Sequence, residues 1–401
     1  MSAYARILVG LDGSACSQLA MQAALALAGQ RPEVELIGCH VYAASLHRGR
    51  FAEMEPGLPD PYQQGERLHQ LRHTHASLIE DGLQIISDAY LAPLLQAAQA
   101  HGVTCQTISR PGTHYATLLE VIEEHQPDLV VLGAWGHGRV PESGLGGLVE
   151  RVLMYAHACD VLVVRRAWSL QGQAVLVGVD GSPCSYAAVQ RAAELARTAG
   201  AQLQAVAVYD PFFHREVFQV IAQALPESSR ERFDFGTQQQ LHDEIIDQGL
   251  KALYQSDLEQ GVSLARQLGV EADSQLLTGK VFAQLYHYAA ACSAALVTVG
   301  RQGRHHQAPA LIGSNTLNLA RLCTTNLLVV APPRQPPQPS ETVRQEAEAP
   351  IWTPEAEARL QQVPAFARPL ARRAIEARAR QLGINPIPVE LVRPPASGAD
   401  V

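Results

Sequence analysis

Three glycines and a serine mark the place where this chain could hold an anion. From Leu296 the sequence runs through a short β-branched, apolar segment into Gly300, passes Gly303, and reaches Gly313-Ser314-Asn315-Thr316 ahead of the helical pattern Leu317 to Leu322. The spacing is G-x2-G-x9-G-S. A strand that feeds a glycine loop and then a helix N-terminus lets the backbone approach a bound group, and the unpaired N–H groups of the first turn face it. The chemistry this predicts is phosphate recognition, with Arg301 and Arg304 as sources of positive charge. The same layout stands earlier, where Gly133, Gly136 and Gly146 precede their counterparts by 167 positions. There Gly147 replaces the serine, so a backbone N–H is kept and a hydroxyl is lost. A hydrogen bond to a charged group is worth ~1.5–3 kcal/mol. The first site is therefore expected to be the weaker one.

The elements that must position these residues alternate. A buried strand from Ile7 ends on an acidic turn at Asp12, and a helix to Ala28 follows, with Ser17 as its expected N-cap and Gly29 past its end. Val34 to Tyr42 reads as a strand, and Ala43 to Gly65, with Pro56, Pro59 and Pro61, as an irregular surface excursion. A long helix to about Ala100, a strand at Val103 to Ser109, a helix at Thr113 to Glu124 and a strand at Leu129 to Leu132 come next. Helix Gly147 to His157 and strand Val161 to Val164 close the unit. Mostly apolar strands alternating with helices predict a parallel sheet covered on both faces.

Then the pattern restarts. Leu176 to Ser185 nearly copies Leu8 to Ser17, shifted by 168 positions, and a constant offset across a whole unit signals tandem duplication. The second unit carries its own excursion, Asp210 to Phe235, and ends on a strand at Asn326 to Ala331. The fold class expected is α/β, two doubly wound parallel five-stranded sheet domains at 1–168 and 171–333. A Pro-rich linker, 334–349, leads to a small, mostly helical piece at 350–393. In that piece Thr353 caps a helix with Pro354 at its first position, running from Glu355 to about Val363. Pro364 breaks it, a second helix runs to Leu382, and Ile384 to Val392 is extended. Arg368, Arg372, Arg373, Arg378 and Arg380 face only Glu376, a basic stripe that is either a solvated face or a surface for an anionic partner.

Composition narrows the function classes. A net charge of −8 over 401 residues argues against a general nucleic-acid binder, and no apolar run approaches the ~20 residues of a membrane helix. The strand pattern begins by Arg6, which leaves no room for a signal peptide, and seven scattered cysteines without a CxxC pair suggest reduced core thiols. The expected location is the cytoplasm. His69 and His73 lie four apart on a helix, yet His75 is off that face, so a metal pair is not favoured. His305 and His306 lie inside the second glycine loop. No G-K-[S/T] loop and no Ser/His/Asp or Cys/His constellation can be read from the spacing.

The glycine spacing, the strand-one acid and the doubly wound pattern from about Tyr4 to Pro333 closely resemble the universal stress protein family, an adenine nucleotide alpha-hydrolase-like fold, with two such domains in one chain. In its nucleotide-binding branch the pattern binds ATP, which Mg2+ can accompany. The resemblance implies that Asp180 and Val208 border the adenine and ribose, and that Gly300, Gly303, Gly313 and Ser314 surround the ribose and phosphates, with Asn315 and Thr316 adding polar contacts. Asp12 and Val41 match the adenine side of the first domain, beside Gly133, Gly136, Gly146 and Gly147. It further implies a non-enzymatic stress sensor with at most slow ATP hydrolysis, and an internal pseudo-dimer that leaves a further homodimer open. The piece from Ile351 to Val392, with Trp352-Thr353-Pro354-Glu355 and Gly383-Ile384, resembles the small C-terminal domain of the light-independent protochlorophyllide reductase B subunit. That resemblance implies a docking module for an unknown protein partner. A scaffold without nucleotide, docking to a tetrapyrrole- or redox-related partner, is the alternative.

Overall fold

Runs of Val, Leu and Ile with no polar interruption form strands buried on both faces, and here they do so twice. The first repeat comprises β1 (Arg6–Gly10), α1 (Ala15–Ala28), β2 (Glu35–Tyr42), α2 (Ala44–Met54), α3 (Gly65–His101), β3 (Thr104–Pro111), α4 (His114–His125), β4 (Leu129–Gly133), α5 (Gly147–Tyr155) and β5 (Asp160–Val164). The second comprises β6 (Ala174–Val179), α6 (Pro183–Ala199), β7 (Gln202–Tyr209), α7 (Asp247–Gln267), β8 (Ala272–Thr278), α8 (Val281–Ala291), β9 (Leu296–Gly300), α9 (Ser314–Leu322) and β10 (Asn326–Val330). This computed structural model describes residues 4–29, 31–62, 65–140, 142–211, 247–304, 311–333, 351–361 and 384–392, with residues 220, 224, 368, 372, 375, 376 and 379. His305, His306, most of the second excursion, the 334–349 linker and Arg373, Arg378 and Arg380 lie outside the described residues.

The two five-stranded sheets join edge to edge. Strand order is β3-β2-β1-β4-β5-β10-β9-β6-β7-β8, parallel throughout except at the seam, where β5 and β10 pair antiparallel through Leu162 and Leu328. All five residues of each seam strand are buried. Antiparallel pairing of equivalent strands places equivalent helices on the same face of the continuous sheet. One face buries Val9, Ala24, Leu94, Val177, Ala192 and Leu258, and the other buries Leu8, Ile37, Leu153, Leu176, Val297 and Leu319.

Three polar groups knot the seam around one carboxylate. Asp160 accepts from the Tyr4 hydroxyl (2.9 Å), the Arg191 Nε (3.1 Å) and the Ala331 amide (2.9 Å). Burial raises its carboxyl above the ordinary range.

Two local expectations are corrected. Ser14, not Ser17, caps α1: its Oγ accepts from the Ser17 amide at 3.2 Å, and Ser182 repeats this with the Ser185 amide at 3.1 Å. Both serines of each pair stand at cap spacing, and the earlier one has the extended backbone a cap needs. The Ala43 to Gly65 excursion is not irregular, because Ala44–Met54 is helical. Phe51 stacks on His75 of α3 at 4.4 Å and Glu55 pairs with Arg72, long-range contacts that override a weak local pattern.

The described cysteines are all free thiols. Burial pushes the Cys39 thiol up to about 12 and that of Cys105 up to about 11. Neither is expected to alkylate in the folded protein at pH 8, while both do so in denaturant. Peptide mass spectrometry after iodoacetamide checks this, and rapid native labelling of Cys39 would contradict the burial argument.

The C-terminal piece belongs to a separate compact unit. Thr353 caps α10 (Pro354–Leu360) by accepting from the Ala356 amide at 3.2 Å, and Trp352 bridges to Ile387. Of the basic stripe, Arg368 and Arg372 are among the described residues. Arg372 pairs with Glu357 (2.7 Å) and Glu376 (3.3 Å) and lies over the Trp352 ring, while Arg368 donates to the Gln361 carbonyl. Val389–Val392 is a 3-10 turn, where an extended run is expected from sequence. Among the described residues, no helix is long and apolar enough to cross a membrane.

Candidate functional site

At the C-terminal edge of the second repeat, where β6 and β9 end, a cavity of about 270 Å³ opens. Parallel α/β sheets present their ligand crevice at this edge, since the loops after the strands splay apart there. Nine of the residues singled out by sequence line it: Asp180, Val208, Gly300, Gly303, Arg304, Gly313, Ser314, Asn315 and Thr316. One half of the wall is apolar, from Val206, Val208, Val281, Leu285, Val299 and Leu319, and the other half carries the polar groups. A flat apolar ring and an anionic tail would find matching surfaces.

The polar half is built from the β6 turn upward. Asp180 accepts at Oδ1 from the Ser182 amide (3.0 Å) and hydroxyl (2.6 Å), and at Oδ2 from the Arg304 amide (3.0 Å). It thereby ties the β6 turn to the glycine loop, and Gly303 packs against it: a Cβ there would stand 2.8 Å from Asp180 Oδ2. Gly300 lets the end of β9 pass close to the start of α6, since its Cβ would lie 2.7 Å from the Cys184 carbonyl carbon. Thr316 donates its hydroxyl to the Gly300 carbonyl at 2.9 Å, and Ser314 and Asn315 stay exposed on the first turn of α9. The first-turn amides of that helix have no partner within it.

Gly313 differs from the other two glycines of its loop, Gly300 and Gly303. Its φ of −64° suits any residue, and a Cβ would meet nothing closer than the Arg301 carbonyl at 3.4 Å. Protein packing does not demand a glycine there.

Arg301 is corrected. Its side chain turns from the cavity into the seam, 1% exposed, and donates to the carbonyls of Ala156 (2.9 Å) and Met154 (2.7 Å) at the end of α5. Burial lowers its pKa to about 10. Its cationic head serves the C-terminal carbonyls of a helix, which favour positive charge. Arg304 is on the cavity wall, its Nε donating to the Asp180 carbonyl at 2.8 Å and its Nη2 paired with Asp257. Sequence reasoning missed Asp257, Tyr254 and Gln302. The repeat offset was the available signal for Asp257, which falls 167 positions after Tyr90.

The first repeat keeps the frame and changes the chemistry. Asp12 accepts from the Ser14 amide (3.0 Å), Gly136 packs on its carboxylate, and Gly133 passes α1 as Gly300 passes α6. His137 donates from Nε2 to the Asp12 carbonyl at 2.8 Å, as Arg304 does to Asp180. Val41 is buried in the core on the same face as Val208. The anion end is altered at more positions than Gly147. Leu148, Val149 and Glu150 stand where the second repeat has Asn315, Thr316 and Leu317, and Glu150 pairs with Arg321 of α9. A Cβ on Gly146 would stand 2.9 Å from the Ala134 carbonyl, so packing does require this glycine. A carboxylate in the first turn of α5 opposes a second anion.

These observations define a duplicated, doubly wound α/β protein with a ligand cavity at the strand C-terminal edge. The model of the "Universal stress protein family" matches residues 3–165 and 173–331, and the chain belongs to that family. A second model, described as "Proto-chlorophyllide reductase 57 kD subunit", matches residues 352–394. Two universal stress proteins of Mycobacterium tuberculosis are 29% identical over 183 residues, 45% of this chain and 55% of theirs. One from Synechocystis is 37% identical over 78 residues, 18% of this chain and 49% of its own. The chain thus spans about half the length of the curated relatives it matches. A solved structure of a functionally unknown protein from Pseudomonas aeruginosa is similar with a TM-score of 0.53 and 16% identity, covering 82% of this chain and 94% of its own. At that identity the likeness concerns the fold.

Proposed function

We propose that this chain is a stress-response sensor or regulator that binds one adenine nucleotide, ATP, in the cavity of the second domain. The observation that carries the reading is Gly313: a glycine that neither backbone conformation nor packing calls for, on the wall of a cavity and at the head of an anion-facing helix. The apolar wall around Val208 suits a purine, and the first-turn amides of α9 with Ser314 and Asn315 suit the phosphates. Arg304 adds the positive charge. Among the described residues no cluster of carboxylates, histidines and cysteines is placed to hold a metal, so any Mg2+ would come bound to the phosphates. Asp180, the carboxylate on the wall, is committed to Ser182 and Arg304, which argues for binding with at most slow hydrolysis.

Calorimetric titration of ATP into the full chain is expected to give one site per chain, with the first domain silent at the same concentrations. Two equal sites would mean that Glu150 and Gly147 cost little. No heat, and no nucleotide released on denaturation, would overturn the reading and leave the docking scaffold. That second reading rests on the match at residues 352–394, and loss of partner capture on removing 334–401 would support it.

A further inference from the structure

The ion pair beside the cavity is not part of the frame that both repeats share. In the first repeat, His137 makes the backbone latch to Asp12, and Tyr90 packs on Gly13. In the second, Arg304 makes the equivalent latch to Asp180, and the Arg304–Asp257 pair packs on Gly181 in the place of the tyrosine. The fold therefore closes this corner without any charge. The pair appears in the repeat whose helix N-terminus carries Ser314, Asn315 and Thr316, and it is missing where Glu150 occupies the first turn.

Arg304 is also incompletely used. Its side chain is 13% exposed and lines the cavity; its Nε and Nη2 are bonded, its guanidinium lies 5.4 Å from the centre of the Tyr254 ring, and its Nη1 is buried with no partner among the described residues. A guanidinium on a cavity wall whose charge is met by a carboxylate along one edge can take a second anionic acceptor from the cavity. Asp257, 10% exposed on α7, supplies charge to one edge of that guanidinium only.

Resting on the nucleotide reading of this cavity, we propose that Arg304 is the residue by which the site measures the ligand's negative charge, and that Asp257 is its resting counter-ion. With the cavity empty, Asp257 balances the guanidinium. A phosphorylated ligand in the cavity competes with Asp257 for the guanidinium, so the carboxylate sets a threshold that weakly charged ligands do not pass. The consequence is selection for charged nucleotides over the bare nucleoside.

The test compares ATP with adenosine on the full chain by calorimetry, for the unmodified protein, Arg304→Gln and Asp257→Asn. Expected for Arg304→Gln is a loss of about tenfold or more for ATP, with adenosine little changed. Asp257→Asn, which leaves the Arg304 latch to Asp180 intact, is expected to tighten ATP severalfold, leave adenosine where it was, and steepen the weakening by salt. Equal losses of ATP and adenosine in Arg304→Gln would reduce Arg304 to a packing group and overturn the proposal. So would unchanged or weaker ATP binding in Asp257→Asn, the variant that decides alone if Arg304→Gln does not fold. If the unmodified protein binds ATP and adenosine equally, charge selection falls while the nucleotide site stands. If it binds neither, both readings fall.

Discussion

Asp160→Ala is expected to destabilise the chain by about 3 kcal/mol, measured by urea unfolding at pH 7. The carboxylate is buried and holds a tyrosine hydroxyl, a guanidinium and a backbone amide from three separate segments, Tyr4, Arg191 and Ala331. Truncation removes the acceptor of the Tyr4 hydroxyl and leaves the buried Ala331 amide unpaired, and an unpaired buried group costs ~1–3 kcal/mol. Arg191 is about one-third exposed and can turn to water, which keeps the total near the lower end of what breaking a buried pair costs. The pH dependence has a definite sign. Burial raises the folded carboxyl above its ordinary value of 3.8, so the contribution is largest below that value and declines as pH rises through the folded pKa. The gap between the unmodified protein and the variant should therefore narrow from pH 3 upward. A gap that widens over that range would mean that Arg191 outweighs burial.

How much of this was legible depends on whether the information was local. The strands, the duplication and the glycine spacing are local, and residues they single out, Asp180, Gly303, Gly313 and Ser314, line one cavity. What pairs across the seam is not local. Val161 to Val164 and Asn326 to Val330 are each readable as strands, yet nothing in either says that Leu162 meets Leu328 antiparallel. The same gap hid Arg301. One position after a strand glycine, its side-chain direction depends on which strand lies alongside, and here α5 of the other repeat offers two carbonyls. A clue existed, because the first repeat has Ala134 at that position, a residue that could never have held phosphate. The Arg304–Asp257 pair was harder to read for a related reason: the carboxylate comes from a helix 47 residues upstream, and its one sequence signal is the repeat offset that aligns it with Tyr90.

The asymmetry between repeats is chemical and not architectural. Asp12 and Asp180 organise the same turn, and Gly133 and Gly300 make the same helix approach, so those residues belong to the frame. Frame residues are poor evidence for a ligand, because the fold alone explains them. Gly313 is better evidence, since neither its backbone conformation nor its packing explains it.

Gly313→Val therefore carries the sharpest prediction. At this position the backbone is extended, with φ −64° and ψ 140°, a conformation that suits a β-branched residue, and the nearest chain atom to a new Cβ is 3.4 Å away. Loss of a neutral N-cap costs at most about 1 kcal/mol. The melting temperature should move by only a few degrees. The added methyl groups stand where the ligand's phosphates would approach the first turn of α9, screening amides that each give a charge-assisted bond of ~1.5–3 kcal/mol. Losing two such bonds predicts a drop in ATP affinity of about a hundredfold or more. Gly146→Val should behave in the opposite way. Its Cβ would sit 2.9 Å from the Ala134 carbonyl, and overpacking of that kind costs ~1–3 kcal/mol, so stability falls while ATP binding in the second domain persists. Measured together by calorimetry and thermal melting, the two valines separate a glycine kept for a ligand from one kept for the fold. Intact ATP binding in Gly313→Val would show that the ligand lies elsewhere on the wall and would remove the main support for phosphates at Ser314.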